Sequence, residues 1–145
     1  MSKLRELISE VSGSFDPKTH LKIVDLVKSE TNVSELRKIA SENFGDPDIL
    51  EVLCTRVLAL VPDHISTTID LGWSYWFQNE KQKGLECLKQ SKTALTKEIV
   101  RYIELIAAFE ENDEDRISLF NYILELDPEN KAAAKNLAWN LSRRK

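Results

Sequence analysis

The sequence predicts an all-α chain of about nine helices, arranged as a solenoid of antiparallel helix pairs. Glycine and proline are scarce, with four of each among 145 residues, whereas a fold with many β-turns needs more of both. Among the charged and apolar residues, Leu, Lys, Glu, Ala and Ile are the main types, and most of these favour helices. In addition, two stretches of sequence recur at one common separation, which is typical of stacked helical repeats.

The repeat is visible at two landmarks that share an offset of 66 residues. Residues 58–64, Leu-Ala-Leu-Val-Pro-Asp-His, resemble residues 124–130, Leu-Glu-Leu-Asp-Pro-Glu-Asn. Leu71-Gly72-Trp73 resembles Leu137-Ala138-Trp139 at the same separation. Half of this offset is the length of one helix pair, and a further pair around the acidic turn 110–115 fits between the two copies.

Proline and capping residues, together with apolar residues at helical spacing, place the individual helices. Asp16-Pro17 and Asp46-Pro47 each set a capping acid before a proline at the first helical position. Pro62 and Pro128 follow strongly apolar helices and end them. These signals predict helices at about 2–12, 17–29, 33–44, 48–61, 66–79, 81–94, 97–110, 113–126 and 131–143.

Residues 31–145 resemble the tetratricopeptide repeat, a unit of two antiparallel helices. The unit 65–96 carries the resemblance best, through the family positions occupied by Leu71, Gly72, Tyr75, Gly84, Leu88 and Ser91. The small residues, together with Ala138 in the last predicted helix, let helix backbones approach closely, and the large ones fill the gaps between helices. The resemblance implies units at 31–64, 65–96 and 97–130 and a capping helix over 131–145. Residues 1–30 form a helical pair that either caps the stack or folds over its groove.

In the tetratricopeptide family the first helix of each unit lines a concave groove that holds a partner. By position, the resemblance assigns to this groove Ile69, Trp73, Trp76, Phe77, Arg101, Leu105, Phe109, Lys135 and Trp139. Trp73, Leu105 and Trp139 hold the same position in three successive first helices, which predicts an apolar stripe. Apolar residues at helical spacing equally fit a buried core, and both interpretations stay open.

No set of residues indicates catalysis. His20 and His64 fall in different predicted units, and Cys54 and Cys87 lack the spacing of metal ligands, so both cysteines are expected to be core residues in a reducing compartment. No glycine-rich phosphate loop is present. We therefore expect no enzyme, no cofactor and no metal.

The leading hypothesis is a non-catalytic adaptor that binds a protein or peptide segment in the aromatic groove. A net charge of −4 disfavours nucleic acid and anionic membranes as partners. The sequence contains neither a signal-peptide core nor a membrane-length apolar stretch, so we expect a cytoplasmic location. Three alternatives stay open: a protein that associates with itself as a homo-oligomer, an inhibitor of the immunity type that neutralises a basic enzyme, and an RNA-binding helical repeat.

Overall fold

The chain is represented by a computed structural model that describes residues 2–11 and 16–144, in which every regular element is a helix. Eight helices occur in these ranges: α1 (Lys3–Val11), α2 (Pro17–Ser29), α3 (Val33–Glu42), α4 (Pro47–Leu60), α5 (Ile65–Phe77), α6 (Lys81–Phe109), α7 (Asp113–Leu126) and α8 (Lys131–Ser142). Ser12, expected in the first helix, and Lys145, expected in the capping segment, lie outside the described residues. The all-α prediction is confirmed.

The prediction of nine helices is wrong by one, and the error lies in α6. Residues 81–94 and 97–110 were expected to form two helices, but α6 continues from Lys81 to Phe109. No glycine or proline lies between Gly84 and Pro128, so the local sequence contains no strong helix breaker near residue 95. The predicted turn rested on repeat length alone, and the helix-forming residues around it continue the helix instead.

Contacts divide the chain into an N-terminal unit, Met1–Ser91, and a C-terminal unit, Lys92–Lys145. The core of the N-terminal unit is centred on α4, where Leu50, Leu53 and Val57 are fully buried. Ile23 of α2 and Leu36 of α3 are buried in the same cluster. Since α4 also packs against α5, it is the platform on which α5 is held.

Helix starts follow the capping residues that the sequence indicated. Asp16 accepts hydrogen bonds from two backbone N–H groups in the first turn of α2, and Asp46 accepts one from the N–H of Ile49 in α4. Pro17 and Pro47 occupy the first helical positions, where a missing N–H costs no hydrogen bond. The predicted caps of α2 and α4 are therefore confirmed.

The C-terminal unit packs the second half of α6 against α7 and α8. Its buried cluster consists of Val100, Ile103, Ala107, Phe120, Ile123 and Ala133. Arg144, beyond the end of α8, binds the carboxylate of Glu114 at the start of α7 with two hydrogen bonds. Ala138 was expected to allow a close helix approach but is exposed, because no described helix covers that side of α8.

The 66-residue repeat has a counterpart in the backbone of the two units. The ends of α4 and α7, and the starts of α5 and α8, are each separated by 66 residues. The C-caps Val61 and Asp127 have nearly equal dihedral angles, φ −135° and ψ 85° against φ −137° and ψ 84°. His64 and Asn130 then cap the following helices with a side-chain acceptor. The sequence repeat thus corresponds to one helix–turn–helix formed twice, while the stacked solenoid stays a prediction.

Candidate binding cleft

Helix α5 has one face held by α4 and another that is open. Thr67, Leu71 and Ser74 on the held face are buried. The Ser74 hydroxyl donates a hydrogen bond of 2.7 Å to the carbonyl oxygen of Pro47 at the start of α4. Because Ser74 is fully buried, this bond fixes the rotation of α5 about its axis and determines which side chains remain exposed.

The turn after α5 brings the chain back alongside it. Asn79 adopts a left-handed conformation with φ 60°, which asparagine tolerates better than most residues. The N–H of Glu80 donates to the carbonyl oxygen of Tyr75 at 2.8 Å, and the N–H of Asn79 donates to that of Trp76 at 3.1 Å. This pair of bonds is a Schellman motif, which ends α5. Helix α6 begins at the residue after Glu80.

Two glycines lie where α5 and α6 pack closely against each other. A Cβ atom placed on Gly72 would lie 3.2 Å from Cδ2 of Leu88, and one on Gly84 would lie 3.4 Å from Cβ of Tyr75. A side chain larger than that of alanine at either position would push the helices apart. The sequence prediction that Gly72 and Gly84 permit close packing is confirmed.

An open cleft of about 680 Å³ lies along this contact, within the N-terminal unit. Its lining consists of Ile69, Gly72, Trp73, Trp76, Lys81, Gly84, Leu85 and Leu88. The five large apolar side chains of this set are each between 42 and 59 % exposed. The cleft is therefore a trough with an apolar surface open to solvent.

Aromatic rings extend the trough beyond Trp73. The ring of Phe77 stacks on Trp73 with 5.9 Å between centroids and an angle of 26°. Phe44, in the turn between α3 and α4, meets Phe77 edge to face at 5.9 Å. Such contacts restrict the rotamers of Trp73 and Phe77, so both rings are held in place before any partner binds.

One lysine supplies the charge of the trough. The Lys81 Nζ atom lies 5.8 Å from the centroid of the Trp76 ring, and among residues 2–11 and 16–144 no carboxylate lies within ion-pairing distance of it. The neighbouring Lys83 is instead paired with Glu80 at 3.3 Å. An acidic group on a bound molecule would find in Lys81 a cation without a competing anion.

All nine side chains predicted to line the groove are exposed, so the buried-core interpretation is wrong for them. Ile69, Trp73 and Trp76 line the trough and Phe77 adjoins it. The other five belong to the C-terminal unit and are Arg101, Leu105, Phe109, Lys135 and Trp139. Their expected alignment with Trp73 in one stripe stays a prediction.

Sequence reasoning missed the contribution of α6 to the trough. Lys81 and Leu85 were not singled out, and Leu88 was assigned to packing alone, although it both contacts Gly72 and lines the cleft. Their spacing, with Lys81, Gly84 or Leu85, and Leu88 on one helical face, was a usable signal. Phe44 was missed because its contact with Phe77 joins residues distant in sequence.

Both cysteines and His64 are engaged in packing or helix capping. Burial raises the pKa of the Cys54 thiol to about 12 and also raises the pKa of Cys87, so neither is an activated nucleophile. His64 Nδ1 accepts the backbone N–H of Thr67 as the cap of α5. Within the described ranges, no three His, Cys, Asp or Glu side chains are grouped to hold a metal ion.

None of the described helices combines the length and the apolar character that crossing a bilayer requires. No family model, no curated protein and no solved structure matches the chain. The resemblance to the tetratricopeptide repeat therefore stays a prediction drawn from its residues.

Proposed function

We propose that the chain is a non-catalytic interaction module whose N-terminal unit binds an apolar segment of a partner polypeptide in the α5–α6 trough. The observation that carries this proposal is the exposure of five large apolar side chains in one continuous trough of about 680 Å³. Leaving such a surface in water is unfavourable by roughly 25 cal/mol for each Å². A contiguous apolar patch is typical of a site that a partner covers.

The open shape of the trough favours a protein segment over a small molecule. Sites for small ligands bury about 70–90 % of the ligand surface, which requires walls on most sides. Here the lining side chains are themselves about half exposed, so a small molecule would remain largely in contact with water. A helix or an extended segment lying along the trough would cover the whole lining at once.

Trp73 and Trp76 are the expected anchors of this site. Tryptophan is enriched among the residues that dominate binding energy, because it buries a large area with few rotatable bonds. Trp73 is pre-organised by its stack on Phe77, and Trp76 lies beneath the ammonium of Lys81. A partner segment that places an acidic side chain beside its apolar anchors would satisfy both features.

The test is selection of displayed peptides against the wild-type protein, followed by titration calorimetry of the selected peptides. The test variant is Trp73→Ala/Trp76→Ala, and the matched control is Tyr122→Ala, which removes an exposed aromatic ring of the C-terminal unit. Circular dichroism establishes that all variants fold. We expect the selection to yield apolar peptides. Their affinity should fall at least about tenfold for the tryptophan variant and stay unchanged for the control.

Peptides that bind the tryptophan variant as tightly as the wild type would show that the trough is not the site. Equal losses in Trp73→Ala/Trp76→Ala and in Tyr122→Ala would contradict the proposal as well, because they would indicate binding to any exposed aromatic ring. Absence of peptide selection from a large library, with the protein folded, would argue against an interaction module of this kind.

A further inference from the structure

The second half of α6 has two apolar faces, of which only one is packed. Val100, Ile103 and Ala107 are buried in the core of the C-terminal unit. The opposite apolar face is exposed and consists of Tyr102, Leu105, Ile106 and Phe109, which we name the α6 strip. A helix of one folded unit ordinarily has its polar residues on the face turned away from the core.

The α6 strip has the pattern of a helix that docks into a groove. Its residues follow the spacing i, i+3, i+4 and i+7, so they cover about 100° of the helix surface. They are between 38 and 80 % exposed, and Phe109 at the end of the helix is the most exposed of the four. The strip therefore has the exposed apolar face of a helix that can lie in an apolar trough.

Acidic residues follow directly after the strip. Residues 110–115 contain five carboxylates, of which Asp113 is paired with Arg116 and Glu114 with Arg144. In the part of the chain that the structure describes, no ion pair engages Glu110 or the two remaining acids. The strip is thus followed by three carboxylates without an ion-pair partner among the described residues, of which Glu110 accepts the backbone N–H of Asn112 at 2.9 Å.

The trough has the opposite arrangement. Its apolar floor ends at the start of α6, where Lys81 has no carboxylate partner among the described residues. The first turn of a helix adds partial positive charge from its free N–H groups. Apolar anchors next to an acid on the strip therefore match an apolar trough next to a base.

We infer that the occupant of the trough is the α6 strip of a second copy of this chain, so that the protein associates with itself through these two unlike surfaces. This inference rests on the proposed function, because it names the partner of the same trough. Each copy carries both surfaces at equal concentration. Phe109 and Leu105 of one copy lie against Trp73 and Trp76 of the other, and the acidic turn faces Lys81.

The size of the contact indicates weak association. A fully buried aromatic side chain contributes about 150–250 Å², and these side chains are already partly covered, so each side would bury on the order of 400 Å². One such contact totals roughly 800 Å², below the roughly 1,200–2,000 Å² of stable complexes. We therefore expect dissociation constants of about micromolar or weaker for a single contact.

The test is sedimentation equilibrium of the full chain over a wide concentration range, with one variant for each surface. Trp76→Glu disables the trough and leaves the strip, and Leu105→Glu disables the strip and leaves the trough. Both positions are exposed, so the folds tolerate the charge, and circular dichroism checks this. Phe109→Asp replaces Leu105→Glu if the latter fails to fold.

We expect the average mass of the wild type to rise with concentration and each variant alone to weaken association at least about tenfold. An equimolar mixture of the two variants restores association, because the strip of one fits the intact trough of the other. Lys81→Glu and added salt both weaken it, since the charges involved are exposed and screened.

A wild type that stays monomeric throughout the range overturns the inference, and so does a mixture that associates no better than either variant alone. If neither substitution weakens self-association, the protein associates through another surface, and this result also overturns the inference. In each of these cases the proposed function is judged separately. Selected peptides that still depend on Trp73 and Trp76 would leave the trough as a binding site for a different protein.

Discussion

Substitution of the two glycines between α5 and α6 tests the geometry of the trough most directly. Alanine in a helix interior is favoured over glycine by about 0.5–1 kcal/mol, so Gly72→Ala and Gly84→Ala start with the same gain. The two differ in what the added Cβ meets. At Gly84 the nearest atom is 3.4 Å away, an ordinary contact, whereas at Gly72 it is the Cδ2 atom of Leu88 at 3.2 Å.

Different net effects follow from these distances. Gly84→Ala should raise the free energy of unfolding by about 0.5–1 kcal/mol. Gly72→Ala should change it by less than about 0.5 kcal/mol, because Leu88 must move by a few tenths of an ångström and overpacking offsets the helical gain. Leu88 is 42 % exposed, so its side chain has room to move outward. In a Leu88→Ala background the clash disappears, and Gly72→Ala should recover the full gain.

The assay is urea denaturation followed by tryptophan fluorescence in a Trp139→Phe background. The remaining tryptophans, Trp73 and Trp76, both lie on α5, so the signal reports the N-terminal unit. The free energies of unfolding of the four proteins in the Gly72 and Leu88 cycle, and of Gly84→Ala, are compared with one m-value shared in the fits. A loss of more than about 2 kcal/mol in Gly84→Ala, or no coupling between Gly72 and Leu88, would refute the described packing.

Three further predictions concern the elements that hold the trough. Ser74→Ala removes the buried hydrogen bond to Pro47 and should cost about 1–2 kcal/mol in urea denaturation, and an unchanged midpoint would contradict its positioning role. Asn79→Ala should lower stability by about 1 kcal/mol in the same assay while Asn79→Gly should not, because only alanine resists the left-handed conformation. Cys54, with its raised pKa and 1 % exposure, should react with iodoacetamide more slowly than Cys87, as measured by mass spectrometry of the native protein, and equal rates would contradict its burial.

Local signals account for the parts of the fold that the sequence predicted well. The capping acids, prolines and apolar spacing placed α2 and α7 at their observed bounds and the other helix starts within a residue or so. Each of these signals acts through hydrogen bonds or sterics within a few residues, so the sequence alone contains the information. Asn79 shows the limit of such signals, since a left-handed cap at asparagine is less obvious than one at glycine.

The errors arose where a long-range pattern was used to predict a local event. A turn near residue 95 was inferred from the length of the repeat, but no residue there breaks a helix, and α6 continues. The trough was half predicted for a related reason. Exposed positions on α5 follow from its own periodicity, whereas the contributions of Lys81 and Leu85 depend on how the following helix is placed. The contribution of Phe44 depends on the position of the turn between α3 and α4.

Comparison of Gly72 with Ala138 shows why a repeat position alone does not define a site. Both follow a leucine, precede a tryptophan and lie in helices entered through the same turn. Gly72 is buried because Leu88 of α6 packs on it, while Ala138 is exposed because no described helix covers α8 there. Trp73 consequently forms a wall of the trough. The ring of Trp139 makes a cation–π contact with Arg143 and no ring–ring contact within the described residues. The apolar trough is therefore a property of two adjacent helices and of the small residues between them, and an aromatic side chain lines it only where such a neighbouring helix exists.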